Sequence, residues 1–365
     1  MSEDNIIKAK NLLIDLVKTY APTGHEYRLE PVLRKWSNEL GYDEFYIDEV
    51  GNIFLRCGSG NRTILLASHL DTVPGELDVK IDGDTVWGRG AVDARGPLAA
   101  FILGAVWGSF ERSNSRVYVA GLVQEEGSGL GARHLVENNF KADHIIVGEP
   151  TNLGIAIAYR GSISLRISSN TIGGHSSAPY IGESALDKLL QFIDLLKNRF
   201  NGASYEEVSY AVTFIRAGEW FGSLPETGEA YINIRYPPRF NSRDIIEELE
   251  SFARVTGIEL QIGSIDKPVE VSVNVEVVRA LVKSFLKMGM KPRIVKKTGT
   301  SDMNTLVDIS KSIAGFGPGD SKLAHTRYEK ISIDDVILGA RIISNTLLEL
   351  SSVGLNRDNL RDPVL

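Results

Sequence analysis

RTILLASHLDTVPG, residues 62–75, opens on the apolar run ILLA and closes on a Thr-Val-Pro-Gly turn. A short apolar run bounded by turn residues predicts a buried strand, with His69 and Asp71 at its carboxyl end. Working outward, the pattern repeats between residues 45 and 160: helical GPLAAFILGAVW, strand SRVYVAGLVQ, helical GARHLVENN and strand ADHIIVGE. Strands alternating with helices predict an α/β domain with a largely parallel sheet flanked by helices. Such sheets bind ligands beyond the carboxyl ends of their strands, where His69, Asp71, Glu125, Glu126 and Glu149 all fall.

From residue 161 the rhythm changes to strand SISLRISSN, helix ESALDKLLQFIDLLKNRF, strands VSYAVTFIRAG and EAYINIRY, helix SRDIIEELESFARVTG and strand IELQIGS. This β-α-β-β-α-β order is that of a ferredoxin-like α+β unit. The economical reading is an insert at 161–267 between the two parts of a host domain, 1–160 and 268–365. Near the amino end, Ile6, Ile7, Lys10, Leu13, Leu16 and Val17 are spaced as an amphipathic helix that stops before Pro22.

The 365 residues carry 40 Lys and Arg against 47 Asp and Glu, a net charge of -7, and basic residues never gather beyond pairs such as Lys296-Lys297. That balance argues against nucleic-acid binding and against docking on an anionic membrane. Cys57 stands alone, so a disulfide framework and a cysteine zinc motif are both excluded. The amino-terminal stretch lacks a signal-peptide core and no segment has the length and apolarity of a membrane span, so the expected location is the cytoplasm.

Neutral His and ionised Asp or Glu are the side chains that hold zinc at low proton cost, and residues 69–149 supply a cluster of them. On an extended segment His69 and Asp71 point to one side, so Asp71 can accept the imidazole N–H; equally, the pair can be a solvated strand end. Asp93, in VWGRGAVDARGP, suits a ligand or a helix N-cap. Glu125 and Glu126 diverge unless the chain turns, which Gly127 and Gly129 permit; otherwise they are an ordinary charged loop. Gly127–Ala132 also fits G-x-G-x-x-A, but two carboxylates precede its first glycine where a pyrophosphate of a nicotinamide or flavin cofactor would settle. His175 in GGHSSAP and His325 in LAHTRYEK are loop histidines. The KTGTSDMN stretch makes either an anion site at a helix start or a capped helix, and Arg235 is a carboxylate fork or a plain strand charge.

Together SHLDTVPG, GRGAVDARGP, QEEGSG, VGEPT, GGHSSAP, GTSD and AHT, in this order along the whole chain, resemble the M20 family of metallopeptidases and amidohydrolases, which includes acetylornithine deacetylase, succinyl-diaminopimelate desuccinylase and carboxypeptidase G. The resemblance implies two divalent metal ions, zinc or cobalt, bridged by Asp93. His69 and Glu149 would complete one site, Glu126 and His325 the other. Asp71 would support His69, and Glu125 would be the general base for the attacking water. A cis peptide is implied between Asp93 and Ala94. The insert would act as lid and dimerisation domain, with His175 of one subunit reaching the partner's site in a homodimer. Arg235 would hold a substrate carboxylate, with Gly299, Thr300 and Ser301 lining the same pocket.

The wording SHLDTVPGELDVKIDGDTVWGRGAVDARGPLAAF is similar to the branch that releases lysine or ornithine from LysW, a small acidic amino-group carrier protein, in lysine or arginine biosynthesis. The alternatives are a deacylase of free N-acetyl-lysine or N-acetyl-ornithine and, from another class, a metal-free scaffold. An acidic carrier is repelled by a net charge of -7, so a basic rim is needed; Arg89, Arg95, Arg133, Arg160, Lys296, Lys297, Lys322 and Arg327 lie near the motifs in sequence.

Overall fold

The computed structural model describes residues 2–107 and 114–352. The chain divides into two compact units. One is built from residues up to Ile157, Val271–Val295 and the chain from Ser301 onward; the other comprises Ala158–Glu270 and Lys296–Thr300.

In the first unit the strands run across the sheet in the order Glu44–Ile47, Ile53–Cys57, Ser115–Leu122, Arg62–His69, His144–Gly148, Ile313–Gly315, Ile155–Tyr159. The four central ones, from Ser115–Leu122 to Ile313–Gly315, are parallel. The flanking strands are antiparallel to them. Parallel strands buried on both faces read as continuous apolar runs, as ILLA does. The helix Gly96–Trp107 is buried from Gly96 through Ala105, because it packs against both the sheet and the long helix Ile333–Ser352. A helix that is apolar all round is a core helix. The first helix, Glu3–Lys18, buries Leu12, Leu13, Leu16 and Val17. Ile6 and Ile7, expected on that face, are exposed.

In the second unit four antiparallel strands lie in the order Ser209–Ala217, Thr227–Tyr236, Gly161–Asn170, Glu259–Asp266. The helices Ala185–Arg199 and Ser242–Thr256 complete its ferredoxin-like α+β topology. Ile163, Leu165, Ile167, Ile232 and Ile234 pack with Leu189, Phe192 and Leu249 in one apolar cluster. The alternate positions, Ser164, Arg166, Asn233 and Arg235, occupy the opposite face, as period-two alternation requires. Among the described residues no helix is long and apolar enough to cross a membrane.

Candidate metal centre

His69 ends its strand, buried, and its Nε2 lies 3.0 Å from Asp93 Oδ1. The other oxygen, Asp93 Oδ2, lies 3.4 Å from His325 Nε2, which is 2.7 Å from Glu126 Oε1. One carboxylate thus faces two imidazoles with its two oxygens, which suits a bridging ligand and rules out the N-cap role. Ligand atoms of His69, Asp93 and Glu126 all lie within 4.8 Å of one another. The chain turns sharply at Asp93–Ala94, whose peptide is cis. The Asp93 N–H donates to Glu329 Oε1 at 3.0 Å, and Val92 N–H to the same oxygen at 3.1 Å.

Glu125 and Glu126 share the site because Gln124 takes a left-handed φ of 59°. That conformation costs a non-glycine residue about 1–2 kcal/mol and must be held by its surroundings. Asp71 is central to the holding: its Oδ1 accepts from Glu125 N–H at 3.0 Å and its Oδ2 from Glu126 N–H at 3.1 Å. His69 Nδ1 accordingly sits nearer the backbone carbonyl of Asp71, at 2.9 Å, than its carboxylate, at 3.5 Å. The glycine-rich loop spends its own donors internally, Gly127 and Gly129 on Gln124 O and Gly131 on Val123 O, which leaves no cradle for a pyrophosphate.

The electrostatics are those of carboxylates crowded together. Burial, and then the charges of Glu149, Asp302 and Glu126 against the pull of His69, push Glu125 well above its ordinary range. Burial and Asp93 do the same to Glu149. Burial raises Asp302 to about 7, with Asp71 adding to it and His69 opposing. Burial alone would lower His69, but hydrogen bonds to Asp71 and Asp93 hold it well above its usual value. His325 is pushed up to about 10 by its bonds to Asp93 and Glu126. Two imidazoles do not balance the six acids Asp71, Asp93, Glu125, Glu126, Glu149 and Asp302, and a divalent cation removes that repulsion. The donor set, imidazole nitrogens and carboxylate oxygens, fits such an ion.

Arg235, Gly299, Thr300 and His175 belong to the second unit. There Arg235 Nη1 donates to Thr300 Oγ1 at 3.0 Å, and a cleft of about 900 Å³ is lined by Arg160, Arg166, Asn233, Arg235, Thr298 and Gly299. Burial and then the Arg235 charge lower Arg160, so two guanidiniums share the cleft. His175 is exposed; its Nδ1 accepts from Ser177 N–H at 3.1 Å, so Nε2 carries the hydrogen of the neutral ring. Ser301 Oγ accepts from Met303 N–H at 3.2 Å, just before the short helix Met303–Leu306, whose N-cap residue Asp302 makes no side-chain cap. Arg89 and Arg95, counted above toward a basic rim, are buried. Arg89 pairs with Glu329 at 3.1 Å, and Arg95 donates to Leu70 O.

Thr23, Glu26, Glu329 and Asp302 are further polar residues around the centre. Glu26 and Glu329 gave no signal in sequence, since a carboxylate that accepts from the backbone N–H groups of a distant turn has no motif partner.

Residues 65–349 match the profile described as Peptidase family M20/M25/M40. A relative from Saccharolobus islandicus (strain Y.N.15.51 / Yellowstone #2), named LysW-lysine/LysW-ornithine hydrolase, is 39% identical over 344 residues, 94% of this chain and 96% of its own. An Aeropyrum pernix relative, given the same name provisionally, is 42% identical over 342 residues, 93% of this chain and 95% of its own. The solved structure of the M20 family metallo-carboxypeptidase Sso-CP2 from Sulfolobus solfataricus shares the fold, with a TM-score of 0.78 over 97% of this chain and 100% of that one at 18% identity. A parallel sheet with acids and imidazoles gathered at its strand ends, and a family match that spans both units, lead to one assignment: the chain belongs to peptidase family M20/M25/M40, whose members are metal-dependent hydrolases of amide bonds.

Proposed function

We propose that this enzyme releases lysine, ornithine or both from a LysW-type carrier by hydrolysing the γ-glutamyl amide between the amino acid's α-amino group and the carrier's terminal glutamate. The observation that carries the reading is identity of 39% or more to relatives of that name over nearly the full chain. Biosynthesis of lysine or arginine on such a carrier would place the enzyme in the cytoplasm.

In this reading His69 and Glu149 would hold one divalent ion and Glu126 and His325 a second, with Asp93 serving both; the opposed oxygens of Asp93 support that division. Zinc or cobalt suits these donors. Bound ions of this kind acidify water and polarise the scissile carbonyl. Glu125, outside the ligand set, takes the proton of the attacking water and passes it to the leaving α-amine as the C–N bond breaks, so the products are a carrier carboxylate and a free amine. A carboxyl already raised by burial and by neighbouring acids suits both transfers.

Arg235, with Thr300, Gly299 and Ser301, holds the carboxylate of the released amino acid. The cleft with Arg160, Arg166 and Arg235 offers an acidic carrier a basic face despite the net charge of -7. The inserted unit serves as lid and dimer contact, and His175 of the partner subunit, with its hydrogen on Nε2, stabilises the oxyanion.

The test compares kcat/KM on carrier-linked γ-glutamyl-lysine and γ-glutamyl-ornithine with that on N-acetyl-lysine and N-acetyl-ornithine, in the wild type and Glu125→Ala. Expected are a strong preference for the carrier forms and loss of turnover in Glu125→Ala at unchanged metal content. Equal use of the acetyl compounds would move the enzyme to the free deacylase class, and full turnover in Glu125→Ala would remove it as the base.

A further inference from the structure

We propose that Thr23 and Glu26, in the turn after the first helix, are positioning residues that aim the Glu125–Glu126 pair, through two carboxylates that hold the pair's backbone. Three consecutive N–H groups, those of Gln124, Glu125 and Glu126, each donate to a carboxylate oxygen from outside their own turn. Gln124 N–H goes to Glu26 Oε1 at 3.1 Å, Glu125 N–H to Asp71 Oδ1 at 3.0 Å, and Glu126 N–H to Asp71 Oδ2 at 3.1 Å. Asp71 is itself fixed by Thr23, whose hydroxyl donates to Oδ2 at 2.7 Å.

The segment that carries Thr23 is tied to the chain just beyond the strand Arg62–His69. Pro22 bridges Thr72, Thr72 N–H donates to Ala21 O at 3.1 Å, and Thr23 N–H to Thr72 O at 3.3 Å. The threonine methyl also lies against the turn: a Cβ built on Gly127 would come within 2.8 Å of Thr23 Cγ2. Glu26 is buried, at 5% exposure, on the side of Gln124, the residue whose left-handed backbone reverses the chain.

A run of oriented N–H groups is a fixed array of partial positive charge, and the two carboxylates satisfy it. The direction in which the two glutamates leave the backbone is therefore set by carboxylates 54 to 98 residues upstream. Neither residue touches substrate in this account. They act on a base that must sit within fractions of an ångström of its proton, where a 1 Å error costs about a hundredfold in rate.

This inference rests on the reading of Glu125 as general base, and the experiment keeps the two separable. Amide hydrogen exchange over residues 122–128 is measured in the metal-free protein, and steady-state kinetics in the metal-loaded enzyme, for Thr23→Val, Thr23→Ser, Glu26→Ala and Glu26→Gln. Expected are faster exchange confined to residues 124–126 in Thr23→Val and Glu26→Ala, with kcat down about ten- to a hundredfold, KM within about twofold and metal content unchanged. Thr23→Ser and Glu26→Gln, which keep the hydroxyl and an acceptor oxygen, should restore both readouts.

Unchanged exchange in Thr23→Val, or a serine variant as impaired as the valine one, would overturn the proposal. So would a loss that follows Tm or metal content rather than exchange. The near-isosteric Thr23→Val decides the matter if Glu26→Ala does not fold. Faster exchange with undiminished kcat would also overturn it when Glu125→Ala is inactive; if Glu125→Ala is active, the base assignment has failed instead.

Discussion

At the scale of single residues, the centre is defined by charges that need one another or a cation. Asp302 has a folded pKa near 7, above its ordinary 3.8, so its contribution to stability is complete below about pH 4 and is lost as pH rises through 7. Glu125 and Glu149 shift the same way. His325, raised to about 10, contributes fully below its ordinary 6.5 and less as pH climbs through 10. All four weaken the metal-free protein as pH rises, and a bound dication reverses each by displacing protons. The Tm difference between metal-loaded and metal-free protein should therefore widen from about pH 5 to pH 8. Calorimetric titration at pH 7 in buffers of different ionisation enthalpy should show net proton release. A gap that narrows with pH would mean that the clustered acids are not the metal's ligands.

At the scale of elements, the helix Gly96–Trp107 is the piece on which the site's rigidity depends, since Asp93 stands just before it and its surface is almost wholly enclosed. Gly104 lets it approach the helix Ile333–Ser352: an added Cβ would lie 2.7 Å from Ile343 Cγ2 and 2.8 Å from Ala340 O. Gly104→Val should destabilise the protein by about 1–3 kcal/mol through overpacking, read as a lower denaturant midpoint at unchanged slope. An unchanged midpoint would show that the two helices can part without cost. The helix was legible from its unbroken apolar run. The closeness of its approach was not, because a glycine in a helix marks a missing side chain without naming the neighbour that fills the space.

At the scale of the whole molecule, the inserted unit presents Ser209–Ala217 as a sheet edge, with Val212, Phe214 and Ile215 at 36%, 45% and 44% exposure. An exposed apolar edge strand invites pairing with another chain. If the enzyme dimerises through this edge, Phe214→Asp should leave a monomer in sedimentation velocity and, if the partner subunit's His175 serves the reaction, abolish turnover with metal content intact. A dimer that persists would remove this strand from the interface. A monomer with full turnover would remove the partner's histidine from the mechanism.

Sequence alone determined the α/β host with its ferredoxin-like insert and the family, because hydrophobic period and motif order are local properties that survive without coordinates. It also named His69, Asp93, Glu126 and His325 as candidates for one place, and those four meet there. Tertiary structure decided what holds them. Asp71 binds the backbone of two glutamates more closely than it binds His69, Glu329 takes the N–H of Asp93, and Thr23 and Glu26 reach a turn far along the chain. It likewise withdrew Arg89 and Arg95 from the basic surface into the interior. These are contacts between a side chain and a distant backbone. Every residue has the same N–H and C=O to offer, so only the folded path of the chain settles which ones a given carboxylate or guanidinium will find.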